Sequence, residues 1–453
     1  MTNIIVFIDA LTPRELTGIL DKWHQGDMDA DVPRVTPRVM SSIYTGLNPA
    51  ENGMMAVSKH GGEDTTRPKK STFIDQAVRE DMSVLSMAMP FSIPFQELNE
   101  NSMLHGDALG GQSQVLPEEA SSMLQVPAPS SDMIKDHPDT TYSSFLDQTR
   151  QFFLRAKENI RQGDFDVAFL GYRLVDSYCH FQHTEERNGK PYRQHLIDHI
   201  QSLLQELDNQ VDGDVMFFSD HGQTELTDTF RVNRWLAENG YLSYKVDYDF
   251  IDDLTEYQGG EQHPVDERVE NQVTFNQPGV KLDEEHSQVV CSDPFDSCLT
   301  LLVDREEFNE EEFRKRLMDT GMYRSVKYKW EMYDEDADFY DTVPDIIPDR
   351  AEGVFVSGNL HKNPIGMGYY RTGVHDRTAC FGATRELNIP DKDTIKPEDM
   401  YDIITDFIDL EVTESPINKD QIKQWTEEEQ KLLKKELSNS EVEKKEINTG
   451  DEG

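Results

Sequence analysis

The sequence predicts an α/β fold with a central, mostly parallel sheet sandwiched by helices, on three observations. Residues 4–8 (Ile-Ile-Val-Phe-Ile), 165–171 and 214–219 are short apolar runs, the first rich in β-branched residues, as in strands buried on both faces. Segments with helical spacing, 143–162 and 192–209, lie just ahead of the second run and between the second and third. Each run leads into an acidic group: Asp9, then Asp176, then Ser219-Asp220-His221-Gly222. Alternating strands and helices favour parallel pairing, and ligands of open parallel sheets bind at the carboxyl edge.

Composition narrows the function classes. At 453 residues the chain can build one large domain or two ordinary ones, with a core that needs no disulfides. Its 44 Lys and Arg against 87 Asp and Glu leave a net charge of −43, which disfavours nucleic acid and anionic membrane surfaces as electrostatic partners. Adaptation to high salt, as in a halophile, accounts for such a surface, because counterions screen its self-repulsion. A store for divalent cations would need acids in spaced ligand loops, and here they are scattered. The cysteines, at 179, 291, 298 and 380, lack Cys-x-x-Cys spacing, so buried reduced thiols are expected. No apolar run is long enough to cross a bilayer and Met1 leads straight into a strand, from which a soluble cytoplasmic protein is expected.

In chain order, 13–23 reads as a helix and 26–31 as an acidic loop. Residues 33–46 then place one hydroxyl, Thr36, between Pro33 and Pro37 and between Arg34 and Arg38. The prolines restrict the backbone and could aim Thr36 at a cleft as a nucleophile, while the arginines could receive an anion. The segment also fits a helix start with Thr36 as N-cap and Pro37 at the first helical position. Arg67-Pro68-Lys69-Lys70 reads as a solvated loop. A helix over 72–80 and a strand over 83–89 add another β/α alternation, and 90–140, rich in Pro, Ser, Gly and Met, reads as loops shaping a pocket.

Asp176 and His180, spaced by four, would share a helical face and could hold one metal ion, or be an N-cap aspartate and a surface histidine. His183 is a further pocket candidate. At Ser219-Asp220-His221-Gly222 the glycine would supply the turn that aims two adjacent ligands inward. Residues 244–290 are acidic and lack apolar runs, which suggests an insertion or cap. A strand over 297–303, a helix over 306–320, a strand over 354–357, a loop at Gly373-Val374-His375 and a helix over 397–410 follow. From 416 to 453 the composition is that of a charged helical or disordered tail, leaving 1–415 as the catalytic domain.

From Thr36 on, Thr-Pro-Arg-Val-Met-Ser-Ser-Ile-Tyr-Thr-Gly-Leu-Asn-Pro-Ala-Glu-Asn-Gly resembles the nucleophile segment of the alkaline phosphatase superfamily, in particular its type I phosphodiesterase and nucleotide pyrophosphatase branch. Thr45-Gly46, Pro49 and Gly53 stand where that branch has them. Val39 departs from it, since the branch has an asparagine there that helps hold the phosphoryl oxygen; Arg38 or a backbone amide would take that place. The resemblance implies an alkaline phosphatase-like fold with Thr36 as nucleophile. It implies Asp176, His180 and His375 as one metal site, and Asp9, Asp220 and His221 as the other.

Two divalent ions would activate a threonine hydroxyl that is a poor nucleophile at neutral pH. Three carboxylates and three histidines suit zinc, or manganese if the site is harder. The implied activity is metal-dependent hydrolysis of a small-molecule or glycan-linked phosphoric ester through a phosphothreonine. A sulfatase would need a formylglycine precursor, and no Cys precedes residue 179. A phosphosugar mutase would normally use a serine. A binding protein without activity would have no use for the complete ligand set.

Overall fold

The structure, a computed structural model, describes residues 1–411 apart from 14, 17–22, 31, 56–66, 94, 96–97, 108–112, 118–130, 247–279, 292–297, 359, 361–364 and 367–370. Most of the helix expected over 13–23, most of the acidic insertion and all of the 416–453 tail lie outside the described residues.

A sheet of eight strands forms the centre, and its middle is parallel. Asn3–Ile8 lies between Val215–Phe218 and Val167–Tyr172, and Val84–Pro90 and Met103–Asp107 continue the parallel set. Antiparallel strands close both margins: Ser113–Leu116 on one, Thr378–Ala383 and then His24–Asp29 on the other. The central strands are buried along nearly their whole length because helices cover both faces. On one face Pro138–Gln162 and Tyr192–Gln210 bury Phe152, Phe153, Leu196 and Leu204 against Ile4, Val6 and Leu170. On the other, Thr36–Thr45, Phe73–Arg79 and Pro397–Phe407 bury Ile43, Phe73 and Ile404 against Ile5, Phe7 and Phe169.

Three sequence expectations are corrected. The supposed acidic loop at 26–31 is mostly strand: His24–Asp29 hydrogen-bonds at the sheet margin, where only Met28 needs to be buried and the other side chains can be polar. The segment 90–140 contains two strands of the central sheet, the short helix Ser131–Asp136 and the start of Pro138–Gln162. Arg67, Lys69 and Lys70 are buried, not solvated; Arg67 is 0% exposed and pairs with Asp75 at 2.6 Å, the residue that boxes the cap of Phe73–Arg79.

Residues between the Gly222–Glu225 strand and its Gly373–Asp376 partner build small sheets with an apolar core of their own around Phe230, Trp235, Phe313 and Ile346. All four cysteines are buried. No described helix is long and apolar enough to cross a membrane.

Candidate active site

Three adjacent parallel strands deliver the acids to one edge. Asp9 follows Asn3–Ile8, Asp220 lies just past Val215–Phe218, and Asp176 sits in the first turn of Leu174–Gln182, the helix after Val167–Tyr172. The chain turns sharply after Asp9: Ala10 takes a left-handed φ of 65°, a costly conformation for a non-glycine residue. That turn lets the Ala10 amide donate to Asp220 Oδ1 at 3.4 Å and the Leu11 amide donate to Ser219 Oγ at 2.9 Å. Gly222 is needed for a different reason from the one the sequence suggests. Its φ is not left-handed; a Cβ there would stand 2.3 Å from the Thr378 carbonyl oxygen.

His375 arrives on a strand, not in the loop expected from the sequence. Gly373–Asp376 pairs antiparallel with Gly222–Glu225, which sets His375 opposite Gln223, next to the Asp220-His221 turn. The rings of His221 and His375 stack at 3.8 Å, and that of His180 lies 4.8 Å from His375. Each ring donates its Nδ1–H to a main-chain carbonyl: His375 to Arg34 at 2.6 Å, His221 to Gly222 at 3.0 Å and His180 to Gly373 at 3.4 Å. A neutral imidazole so held presents its Nε2 lone pair on the opposite side, as in metal ligands.

Those lone pairs meet carboxylates and one another. His180 and His375 Nε2 are 3.0 Å apart and lie 3.0 and 3.2 Å from Asp176 Oδ1. His221 Nε2 is 3.2 Å from Asp220 Oδ2 and 3.7 Å from Asp9 Oδ1, and both of these buried oxygens lack a hydrogen-bond partner. Buried acceptors facing acceptors are unstable without a cation between them, so these residues fit divalent ions. The trios close enough to share one are Asp176, His180 and His375, as the sequence suggests, and Asp9, Asp176 and His221, in which Asp176 stands where Asp220 was expected.

The electrostatics agree. Burial, with the charges of Asp220 and Asp176, raises the Asp9 carboxyl well above its ordinary range. Burial also raises Asp220, with a contribution from Asp176. His221 and His375 are both pushed down to about 4, chiefly by burial, and are neutral near pH 7.

Thr36 opens the Thr36–Thr45 helix, but it is not the N-cap: Val35 holds that position, and no side chain caps the helix. Its Oγ1 lies instead 3.3 Å from His221 Nε2. Val39, on the same helix, faces the core and is 0% exposed. Arg34 is ion-paired with Asp349, and Arg38 donates to the Ala30 carbonyl at 3.0 Å and lies 3.5 Å from Glu398. His183 follows the Leu174–Gln182 helix, and its amide donates to Thr372 Oγ1 at 2.7 Å.

Behind the ligands stands a polar chain that no sequence signal announced. Gln223 Nε2 points to Asp176 Oδ1 at 3.5 Å, and Arg193 donates to Gln223 Oε1 at 3.2 Å. Arg193 also donates to both oxygens of Glu15, at 2.7 and 2.6 Å, and to the Ala10 carbonyl at 3.0 Å. One guanidinium thereby fixes the turn after Asp9 and, through Gln223, the orientation of Asp176. Arg173 adds a cation 3.6 Å from Asp9.

The family model described as type I phosphodiesterase / nucleotide pyrophosphatase matches residues 10–377. The chain belongs to that family. As a member it is a phosphoester hydrolase of a metal-dependent family. Among solved structures, it is similar to phosphonoacetate hydrolase from Sinorhizobium meliloti 1021 in complex with phosphonoformate. The two share 14% identity over 90% of this chain and 95% of that one, with a TM-score of 0.59. The phosphonoacetate complex of that enzyme gives a TM-score of 0.58 at 14% identity and the same coverage. Human ectonucleotide pyrophosphatase / phosphodiesterase 5 gives 0.50 at 11% identity, covering 92% of this chain and 97% of that one. At these identities the likeness is one of fold. No curated protein matches the chain.

Proposed function

We propose that this type I phosphodiesterase hydrolyses a phosphoric ester with the help of two divalent ions and by way of a phosphothreonine at Thr36. The observation that carries this reading is the position of Thr36: its hydroxyl meets His221 Nε2 at 3.3 Å, beside unpartnered carboxylate oxygens, and is not spent on capping its helix.

Asp176, His180 and His375 would hold one ion, and Asp9, Asp220 and His221 the other, with Asp176 near enough to both to contribute to each. Such ions would supply a lowered hydroxyl pKa at Thr36 and positive charge for the negative charge that builds up in the transition state. Nitrogen and oxygen donors in this mixture suit zinc, or manganese. The residues of the chain do the rest. The helix start fixes Thr36 and brings the positive end of its dipole to an anionic phosphoryl group. Thr36 Oγ forms a bond to phosphorus as the bond to the leaving oxygen breaks, and the hydroxyl proton ends on that oxygen. Water then breaks the Oγ–phosphorus bond and restores the hydroxyl. Arg34 and Arg38, read from the sequence as an anion-binding pair, each already have a protein acceptor and take no part in holding the phosphoryl group. A small-molecule phosphoester suits a chain of charge −43 better than a polyanion does.

The same 3.3 Å contact favours one rival, in which His221 acts as a general base toward Thr36 without an ion. Metal removal separates the two. Protein stripped by a chelator and assayed on bis(p-nitrophenyl) phosphate and p-nitrophenyl phosphate should be inactive and regain activity with zinc or manganese. Full activity in the stripped protein would support the base mechanism and overturn the metal reading.

A further inference from the structure

Beyond the ligands, the site holds a cation whose purpose the chemistry above does not use. Arg371 precedes the Gly373–Asp376 strand, and its guanidinium lies 4.8 Å from the centre of the Phe355 ring. Its Nη1 is 3.4 Å from His180 Nδ1, a ring nitrogen that also faces the Gly373 carbonyl at 3.4 Å and supplies no negative charge. Among the described residues Arg371 has no carboxylate partner. The carboxylate whose charge it feels is Asp176, which His180 and His375 engage at 3.0 and 3.2 Å. Arg350 reinforces the positive charge: it is buried, donates to the His375 carbonyl at 3.3 Å, and feels Arg371 as a repelling neighbour. A part-buried guanidinium without an anion is costly, and stacking on an aromatic face recovers only part of that cost.

The contacts define an order across the site. Thr36 touches His221, His221 stacks on His375, His375 meets His180, and His180 lies against Arg371. In phosphoryl transfer the attacking and leaving oxygens are roughly in line. With Thr36 attacking at the His221 end, the leaving group departs toward the His180 end, where Arg371 stands.

We propose that Arg371 forms a specificity-determining subsite for a second oxyanion, a carboxylate or phosphate, carried by the leaving group of the substrate. This rests on the phosphothreonine reading above, which fixes the leaving side. Planar, bidentate recognition of an oxyanion is what a guanidinium does best. Substrates that lack the second charge would be turned over with less discrimination.

The test is calorimetric binding of three inert phosphonates to the zinc-loaded protein: propylphosphonate, 3-phosphonopropanoate and propane-1,3-bisphosphonate. Wild type should bind at least one of the two doubly functionalised compounds about tenfold more tightly than propylphosphonate. Whichever of the two gains more identifies the second oxyanion as carboxylate or phosphate. Arg371→Gln should reduce that gap to about twofold or less while leaving propylphosphonate affinity nearly unchanged, and Arg371→Lys should retain part of the gap. A gap that is absent in wild type, that survives in Arg371→Gln, or that disappears because all three ligands weaken alike would overturn the subsite. Failure of every phosphonate to bind wild type would count against the active-site reading itself and remove the subsite with it.

Discussion

The imidazole of His375 donates Nδ1–H to the carbonyl oxygen of Arg34 at 2.6 Å, joining the last of the proposed ligands to the segment that leads into the Thr36–Thr45 helix. One hydrogen bond thus fixes both the tautomer of this imidazole and the entry of the Thr36–Thr45 helix, across 341 positions of chain. His375→Gln should therefore do more than delete a ligand. We expect loss of about one ion per chain in elemental analysis, together with a lower kcat. Retention of two ions would remove His375 from the site.

Gln223 and Arg193 act behind the ligands, and their replacements should differ. Gln223→Met keeps volume and removes the contact to Asp176, so the fold should stand while metal affinity falls about tenfold or more, as for other supports of metal ligands. Arg193→Met leaves Glu15 without its cationic partner, and melting should show a loss of roughly 3 kcal/mol. Unchanged metal affinity in Gln223→Met would show that the 3.5 Å contact orients nothing.

The three acids of the site were legible because each follows an apolar run whose strand character is local, whereas His375, on a strand that reads as a loop, was reached only through the family resemblance. Asp9 and Asp220 need only their own neighbours in sequence to be placed at a sheet edge. Arg193, Gln223 and Arg371 gave no such signal, since each finds its partner on another element and nothing in the adjacent residues marks the meeting. The same holds for Arg67, which reads as one of a basic cluster until Asp75 is folded onto it. His24–Asp29 and Ser113–Leu116 were missed for the opposite reason: strands at the sheet margin bury little, so their composition is that of a loop. Thr36 reads from the sequence as an N-cap at the correct helix end, whereas it lies one position inside the helix, with Val35 at the cap and no side-chain cap bond.

Stability should fall with acid through His105. The Ala88 amide donates to His105 Nδ1 at 3.0 Å, and burial pushes the imidazole down to about 4 from an ordinary 6.5. Below pH 6.5 the unfolded chain takes up a proton that the folded one refuses, so stability is lost as pH falls from about 6.5 to 4. The full effect is on the order of 3 kcal/mol. His105→Gln keeps an acceptor for Ala88 and cannot titrate, so its urea unfolding free energy should depend less steeply on pH over that window. An identical slope in the variant would assign the acid sensitivity elsewhere.

Low salt should destabilise the fold. A net charge of −43 repels itself more strongly as the Debye length grows from about 3 Å at 1 M to about 30 Å at 0.01 M. Melting temperature should rise with sodium chloride across that range. A flat response would dissociate the acid excess from any need for salt.

The covalent role of Thr36 is tested most directly by comparing Thr36→Ala with wild type under metal-loaded conditions. Since the Thr36 side chain caps nothing, the variant should melt close to wild type and bind the same number of ions. Turnover should drop by several orders of magnitude, by comparison with about 10⁶-fold for the nucleophile of a triad enzyme. Thr36→Ser, which keeps an alcohol in place, should recover part of it. Retention by Thr36→Ala of more than about a tenth of the wild-type rate, a barrier change under roughly 1.4 kcal/mol, would contradict the phosphothreonine and leave direct attack by water.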